Sequence, residues 1–374
     1  MDEKKGVPET MGRKTTTVTG DALANREYAY DLLRVISCIS VVIIHVSGIY
    51  QRPEFYDIIG EDNLMISSFF RLLTSLGVPM FVMLSGAFNL RDENSDFRHF
   101  YRKMTKRIVI PTLVFSVIYV MIHYAEIIIA GKMNLNLGAD KMNLWSPLVD
   151  WLRGIPNVTM WYMYMILPLY MITPALVLVK KHISSRSWHV LAVMMLVYSY
   201  IVAGTCTLSW VLEFTKYLGY FFMGDVIREF GIKLKEKNGK HRNLAGAACI
   251  ALSYAGLLVY WYLFTYKTKL LTIPEYVTLI VIAMSLLQFL GFSLLRVNKC
   301  GKPVRLISKY SLEIYLMHPA FLIFATQLFC RILRWLPSAI GIPVYTFVVT
   351  MLCIAVYALY ERGAGFIFRR AKKQ

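Results

Sequence analysis

From residue 28 onward the chain alternates between long apolar runs and short polar, mostly basic connections. Crossing the hydrocarbon of a bilayer takes roughly 20 apolar residues as a helix. Runs of that kind fall at 28–50, 65–90, 108–130, 159–179, 189–208, 212–227, 244–264, 276–294, 310–331 and 342–360. The pattern predicts an all-α, polytopic bundle of about ten transmembrane helices. An even count of spans puts both ends of the chain on one side. The fifth and sixth spans are separated only by the short Thr205–Leu212 connection, and the sixth run is barely long enough.

Composition agrees with the pattern. Of 374 residues, 57% are hydrophobic and 17% charged, and the mean hydropathy is +0.50. That balance excludes an ordinary soluble domain, which needs a polar surface. The net charge of +18 would suggest nucleic acid in a soluble protein. Here the basic residues sit in the connections, and their distribution gives orientation. The side of the N-terminal tail collects 30 Lys and Arg, the other side 8, and three fall within spans. Basic loops stay in the cytosol, so both ends are expected there. Residues 1–26 read as a disordered cytosolic tail, without the small-residue cleavage site of a signal peptide. Residues 27–362 form the membrane domain, and 363–374 a basic cytosolic tail. The six cysteines show no metal-site spacing and fall mostly in apolar runs, where they act as small packing residues. The 131–158 connection ends in Trp145, Pro147, Trp151 and Pro156, a content suited to lying along the membrane surface.

Ionisable residues inside spans are costly and mark candidate sites. In the first span, Arg34 and His45 lie eleven residues apart, which at ~100° per residue returns both to one helix face. Their separation along the axis is ~16 Å. Asp31, one turn earlier, is placed to orient the Arg34 guanidinium. On the residues alone, two readings stand side by side. Arg34 and His45 line a polar track, or Arg34 snorkels to headgroups while His45 hydrogen-bonds a neighbouring helix. Arg71, Glu126 and Lys216 fit interfacial or paired positions. His318, before Pro319, is either a second lining residue or a packing histidine beside a kink. Arg98, Arg102 and Lys106 recur every four residues before Pro111, a basic ridge if helical. The ridge is either plain topology charge or a seat for a polyanion's phosphates.

These residues give the chain a recognisable character. YDLLRVISCISVVIIHVSG, with ten residues between Arg34 and His45, resembles the signature of the acyltransferase 3 family. That family comprises integral membrane O-acyltransferases, including those that acetylate surface polysaccharides and peptidoglycan. VPMFVMLSGAFNL (78–90), RKMTKRIVIPTLVF (102–115), WYMYMILPLYMITPAL (161–176) and YSLEIYLMHPAFL (310–322) agree with it in order and spacing. Many relatives carry a histidine two residues before the tryptophan of the fourth span, where this chain has Thr159.

The resemblance implies a cytosolic acyl-CoA, usually acetyl-CoA, as donor and co-substrate, and no metal. The acceptor it implies is a hydroxyl or amine of the cell envelope, such as a surface polysaccharide. It also implies a multi-pass protein of the bacterial plasma membrane, with the lipid bilayer as partner and no nucleic acid. Carried onto these positions, Arg34 stands at the mouth of the donor site. His45 serves as general base or transient acyl carrier, a task suited to a pKa near working pH. Arg102 and Arg107 are the candidates for the CoA phosphates after Arg34, and Arg71 and His318 for the acceptor-facing part. A secondary transporter or flippase with His45 in a proton path is the competing class. A membrane sensor is a third.

Overall fold

The computed structural model describes residues 27–52, 60–91, 94, 96–132, 144–153, 157–205, 212–237, 241–271, 274–331 and 336–371. Fourteen α-helices carry them, with no strand among the described residues. In chain order they are α1 (Tyr28–Tyr50), α2 (Glu61–Leu73), α3 (Gly77–Asn89), α4 (Phe97–Met104), α5 (Ile110–Lys132), α6 (Ser146–Leu152) and α7 (Trp161–His182). There follow α8 (Ser185–Thr205), α9 (Leu218–Lys237), α10 (Arg242–Trp261), α11 (Leu279–Leu294), α12 (Lys302–Lys309), α13 (Ser311–Arg331) and α14 (Ser338–Ala371).

Each of the ten apolar runs falls on a helix, but not every helix is a clear span. Seven stretches are long and apolar enough to cross a membrane: Tyr28–Tyr50, Glu61–Asn89, Phe97–Ile129, Trp161–His182, Ser185–Thr205, Arg242–Tyr266 and Ser338–Gly363. Leu279–Leu294 and Ser311–Ile323 are apolar but shorter. The expected sixth run lies on α9, whose second half carries Arg228, Glu229, Lys233 and Lys235. α14 continues to Ala371, well past the end expected for the last span. The 1–26 tail, residues 133–143 and 154–156 of the 131–158 connection, and residues 206–211 lie outside the described residues. Within that connection, α6 leaves Leu144, Trp145 and Leu152 more than 60% exposed.

Two helix irregularities follow from proline. Pro79 has no N–H to give the Ser75 carbonyl, and the chain breaks between α2 and α3 just before it. Pro111 likewise cannot bond the Arg107 carbonyl, and a π turn at Thr105–Val109 separates α4 from α5. That wider turn ends the four-residue register of the basic ridge.

Packing inside the bundle depends on close backbone approach. α3 and α9 cross with Gly86 against the Phe221 carbonyl and Gly224 against the Met83 carbonyl, each too near for a Cβ. Such contacts substitute for a hydrophobic driving force between helices in lipid. Lys180 pins α7 to α9 through Asp225 (2.6 Å) and Glu229 (2.7 Å), and Asp225 also accepts the Trp188 indole N–H (2.9 Å) from α8. On the outside, Val190, Val193, Met194, Val197 and Ile201 form an exposed apolar stripe along α8, and Leu113, Val117 and Met121 another on α5. Faces of that extent are lipid-facing surface rather than water-facing surface. Replacing Gly86 by Ala is expected to cost about 1–3 kcal/mol through overpacking against Phe221. A midpoint unchanged in thermal unfolding in detergent would refute that contact.

Candidate active site

Arg34 and His45 share one face of α1, and the neighbouring helices give each a different setting. Arg34 donates to Asp31 Oδ1 (3.0 Å) and to Ser308 Oγ (3.3 Å) of α12, while Ser308 Oγ donates to the same Asp31 oxygen (2.8 Å). Asp31 is thus buried and bonded, and it fixes the guanidinium fork as the one-turn spacing leads one to expect. A cavity of about 670 Å³ opens at this end of the bundle. Arg34, Lys106, Arg107 and Lys309 supply its positive charge, and Ser85, Tyr162, Tyr170 and Tyr315 line it further in. Beside it, Lys309 binds Glu361 (2.8 Å), whose carboxylate, with the Tyr310 hydroxyl, holds the amine above its ordinary pKa and keeps it a cation. The cavity brings Arg34 and Arg107 together. Arg102 is exposed and is not part of its lining. Lys106, two residues past the end of α4 and within the π turn, takes that place instead.

His318 reaches His45 from α13, with ring centroids 5.2 Å apart. Its setting is a direct product of the His-Pro pair. Pro319 has no N–H for the Tyr315 carbonyl four residues back, and His318 Nδ1 donates to that carbonyl (2.7 Å). A carbonyl only accepts, so Nδ1 carries the proton and Nε2 keeps its lone pair. Nε2 is buried and has no hydrogen-bond partner among the described residues. Tyr119 of α5 completes the repair of the kinked helix. Its hydroxyl donates to the Leu316 carbonyl (2.7 Å) and accepts the Ala320 N–H (3.3 Å), a pair that bond each other in an unbroken helix. His45 is half-buried, and no hydrogen bond holds its imidazole among the described residues. The alternative that His45 is simply a satisfied interhelical donor therefore finds no partner here.

Beyond the histidines the lining is aromatic. Tyr315 lies 5.7 Å from His318 and 5.4 Å from Tyr162, and its hydroxyl donates to the Thr159 carbonyl. Thr159 spends its own side chain on Asn157 Oδ1 (2.7 Å), so the position where relatives carry histidine meets the site through backbone alone. Trp161 stacks on Tyr276 (5.6 Å) and lies 5.8 Å from Tyr217. These three aromatics, with Ile44, Arg71, Glu213 and Lys216, line a second cavity of about 390 Å³. Arg71 donates to Gln51 Oε1 (2.7 Å), and Lys216 pairs with Glu213 (3.0 Å). Adjacent residues therefore face different cavities: Tyr162 the Arg34 side, Trp161 the Arg71 side. His318 is the immediate neighbour of His45.

Lys309, Ser308 and Tyr119 carry no sequence signal that sets them apart from ordinary loop or span residues. Tyr315 does carry one, since it precedes His318 by three and so shares its helix face.

A basic cavity and an aromatic cavity, with a histidine pair next to residues that line each, suit transfer of a group between two bound molecules. The acyltransferase domain family matches residues 27–358. No curated protein and no solved structure matches the chain. The matched stretch takes in every helix of the site, from Arg34 to His318, and the chain belongs to the acyltransferase 3 family of membrane acyltransferases.

Proposed function

We propose that this protein moves an acyl group, an acetyl group in the first instance, from cytosolic acyl-CoA to a hydroxyl of a cell-envelope acceptor such as a surface polysaccharide. An amine acceptor meets the same chemistry. The observation that carries the reading is the His45–His318 pair, which adjoins residues of both cavities: Tyr315 of the basic one is 5.7 Å from His318, and Ile44, next to His45 in the chain, lines the aromatic one. In this reading the ten helical runs all cross a bacterial plasma membrane, and both ends of the chain face the cytosol, as the charge bias requires.

The phosphates of acyl-CoA meet Arg34, Lys106 and Arg107, where guanidinium forks suit phosphate oxygens. Arg102 serves the approach from outside the cavity rather than the seat itself. The acceptor enters from the Arg71 side, over the stacked Trp161 and Tyr276, whose flat faces suit the C–H face of a sugar ring. His45 takes the hydroxyl proton as the oxygen bonds the acyl carbon and the carbon–sulfur bond breaks. The proton held on the imidazole then passes to the departing thiolate. Transfer through a short-lived acyl-His45 adds one bond: the imidazole nitrogen bonds the acyl carbon as the carbon–sulfur bond breaks, and the acceptor oxygen then displaces it, the hydroxyl proton passing by way of His318 Nε2 to the thiolate. A proton-coupled transporter, the other class open from the residues, gains no support from the family.

Sealed vesicles of opposite orientation test the whole reading. Acetyl-labelled acetyl-CoA supplied outside should label glycan in inside-out vesicles and leave right-side-out vesicles unlabelled. Label appearing only in right-side-out vesicles would reverse the orientation, and label in neither would remove acetyl-CoA as donor.

A further inference from the structure

Next to the Arg34 cavity lies another, about 490 Å³, whose lining includes Glu27, Asp31, Arg34, Phe88, Arg91 and Arg228. Three guanidinium groups converge there on the Phe88 ring, at 4.7 Å (Arg91), 5.5 Å (Arg228) and 6.0 Å (Arg34). An aromatic face attracts cations, but three of them in one cavity repel one another. Two carboxylates offset part of this. Glu27 accepts from Arg228 Nε and Nη2 at 3.2–3.3 Å, and Asp31 accepts from Arg34. Among the described residues the lining gathers three arginines and two carboxylates. Arg228 comes from α9, Arg91 from the end of α3 and Arg34 from α1, so the fold gathers them from three separate elements.

Arg34 lines both cavities, which places them side by side at its guanidinium. The distance along α1 from His45 to Arg34 is ~16 Å. A chain that extends by about 3.5 Å for every three bonds reaches roughly 15 Å over the pantetheine arm of CoA. A thioester at His45 therefore sets the pyrophosphate at Arg34, beside Lys106 and Arg107. Beyond the pyrophosphate, acyl-CoA carries a ribose with a 3′-phosphate, and beyond Arg34 the protein carries this arginine cavity.

We propose that Arg91 and Arg228, gathered on Phe88, form the subsite for the 3′-phosphate of acyl-CoA. The inference rests on acyl-CoA being the donor. Glu27 occupies the Arg228 fork until the phosphate displaces it, and its side chain, 28% exposed, has water to turn into. The subsite gives the enzyme a means to distinguish CoA from pantetheine thioesters and from dephospho-CoA.

Calorimetry of the full chain in detergent, with CoA and with 3′-dephospho-CoA, reads the subsite directly. The wild type should prefer CoA by roughly 10- to 100-fold, the worth of one or two charge-assisted hydrogen bonds. Arg228→Gln should bring the two ligands close to parity by weakening CoA while leaving dephospho-CoA binding as it was. Arg228→Lys, which keeps the charge without the fork, should retain part of the preference. Arg91→Gln should act in the same direction, and decides the matter if Arg228→Gln does not fold. Equal wild-type affinity for both ligands would overturn the subsite and leave acyl-CoA as donor. A preference undiminished in both variants would also overturn it. A wild type that binds neither ligand would overturn the donor, and the subsite with it.

Discussion

His45→Gln should retain the fold and acetyl-CoA binding while losing transfer by roughly 10²–10⁴-fold, the range of a removed general base. Glutamine keeps similar bulk and polarity but takes no proton at neutral pH. A histidine that served packing alone would tolerate it. The setting sharpens the contrast, because no hydrogen bond holds the His45 imidazole among the described residues and its removal leaves no interhelical partner behind. Acidification should act in the same direction as the substitution, since a protonated imidazole is no base. The measurement is steady-state transfer in detergent at saturating acetyl-CoA. Turnover close to wild type in His45→Gln would take His45 out of the mechanism.

Loss of the second imidazole should be nearly as severe. His318→Phe fills the buried site with a ring but removes the unpartnered Nε2 that sits beside His45. Turnover should fall on the order of 10²-fold with little change in KM for acetyl-CoA, if Nε2 shares the proton that His45 removes. Replacement also leaves the Tyr315 carbonyl without the Nδ1–H that Pro319 cannot supply. Tyr119→Phe separates that structural loss from the chemical one. It removes the hydroxyl that bridges Leu316 and Ala320 on the same kinked helix without touching either histidine. A pH–rate profile identical in His318→Phe and wild type, with equal turnover, would reduce His318 to packing.

Much of this arrangement is written in local sequence and some of it is not. The apolar runs place the long helices, because crossing a bilayer takes a minimum length, but they miss the short α4, α6 and α12 and the break between α2 and α3. The same rule overstates α9, where the charges of Arg228, Glu229 and Lys233 share a helix with an apolar first half. The spacing of Arg34 and His45 carries over directly, since eleven residues of unbroken helix permit one geometry. The basic ridge does not, because the π turn before Pro111 rotates Lys106 and Arg107 into the cavity and leaves Arg102 outside it. His318 sits beside His45 through the packing of α13 on α1, a contact between residues 273 positions apart that no local pattern encodes. The arginines on Phe88 likewise meet only through tertiary structure. Arg91 and Arg228 look by themselves like ordinary positive charge on the tail side of the membrane.

The aromatic waist between the cavities has a consequence for the cell's energy supply. In the proposed reading, with donor and acceptor entering from opposite faces of the membrane, the protein is also a potential short circuit. Every elementary charge that runs down a potential of 100 mV dissipates about 2.3 kcal/mol. Phe81, Tyr162 and Tyr315 pack in one aromatic chain, and Trp161 beside Tyr162 stacks on Tyr276, so the residues lining the two cavities meet through rings rather than through charged groups. A neutral acyl group handed across them carries no current. The enzyme can therefore work in a charged membrane without drawing on the gradient that other proteins in that membrane maintain.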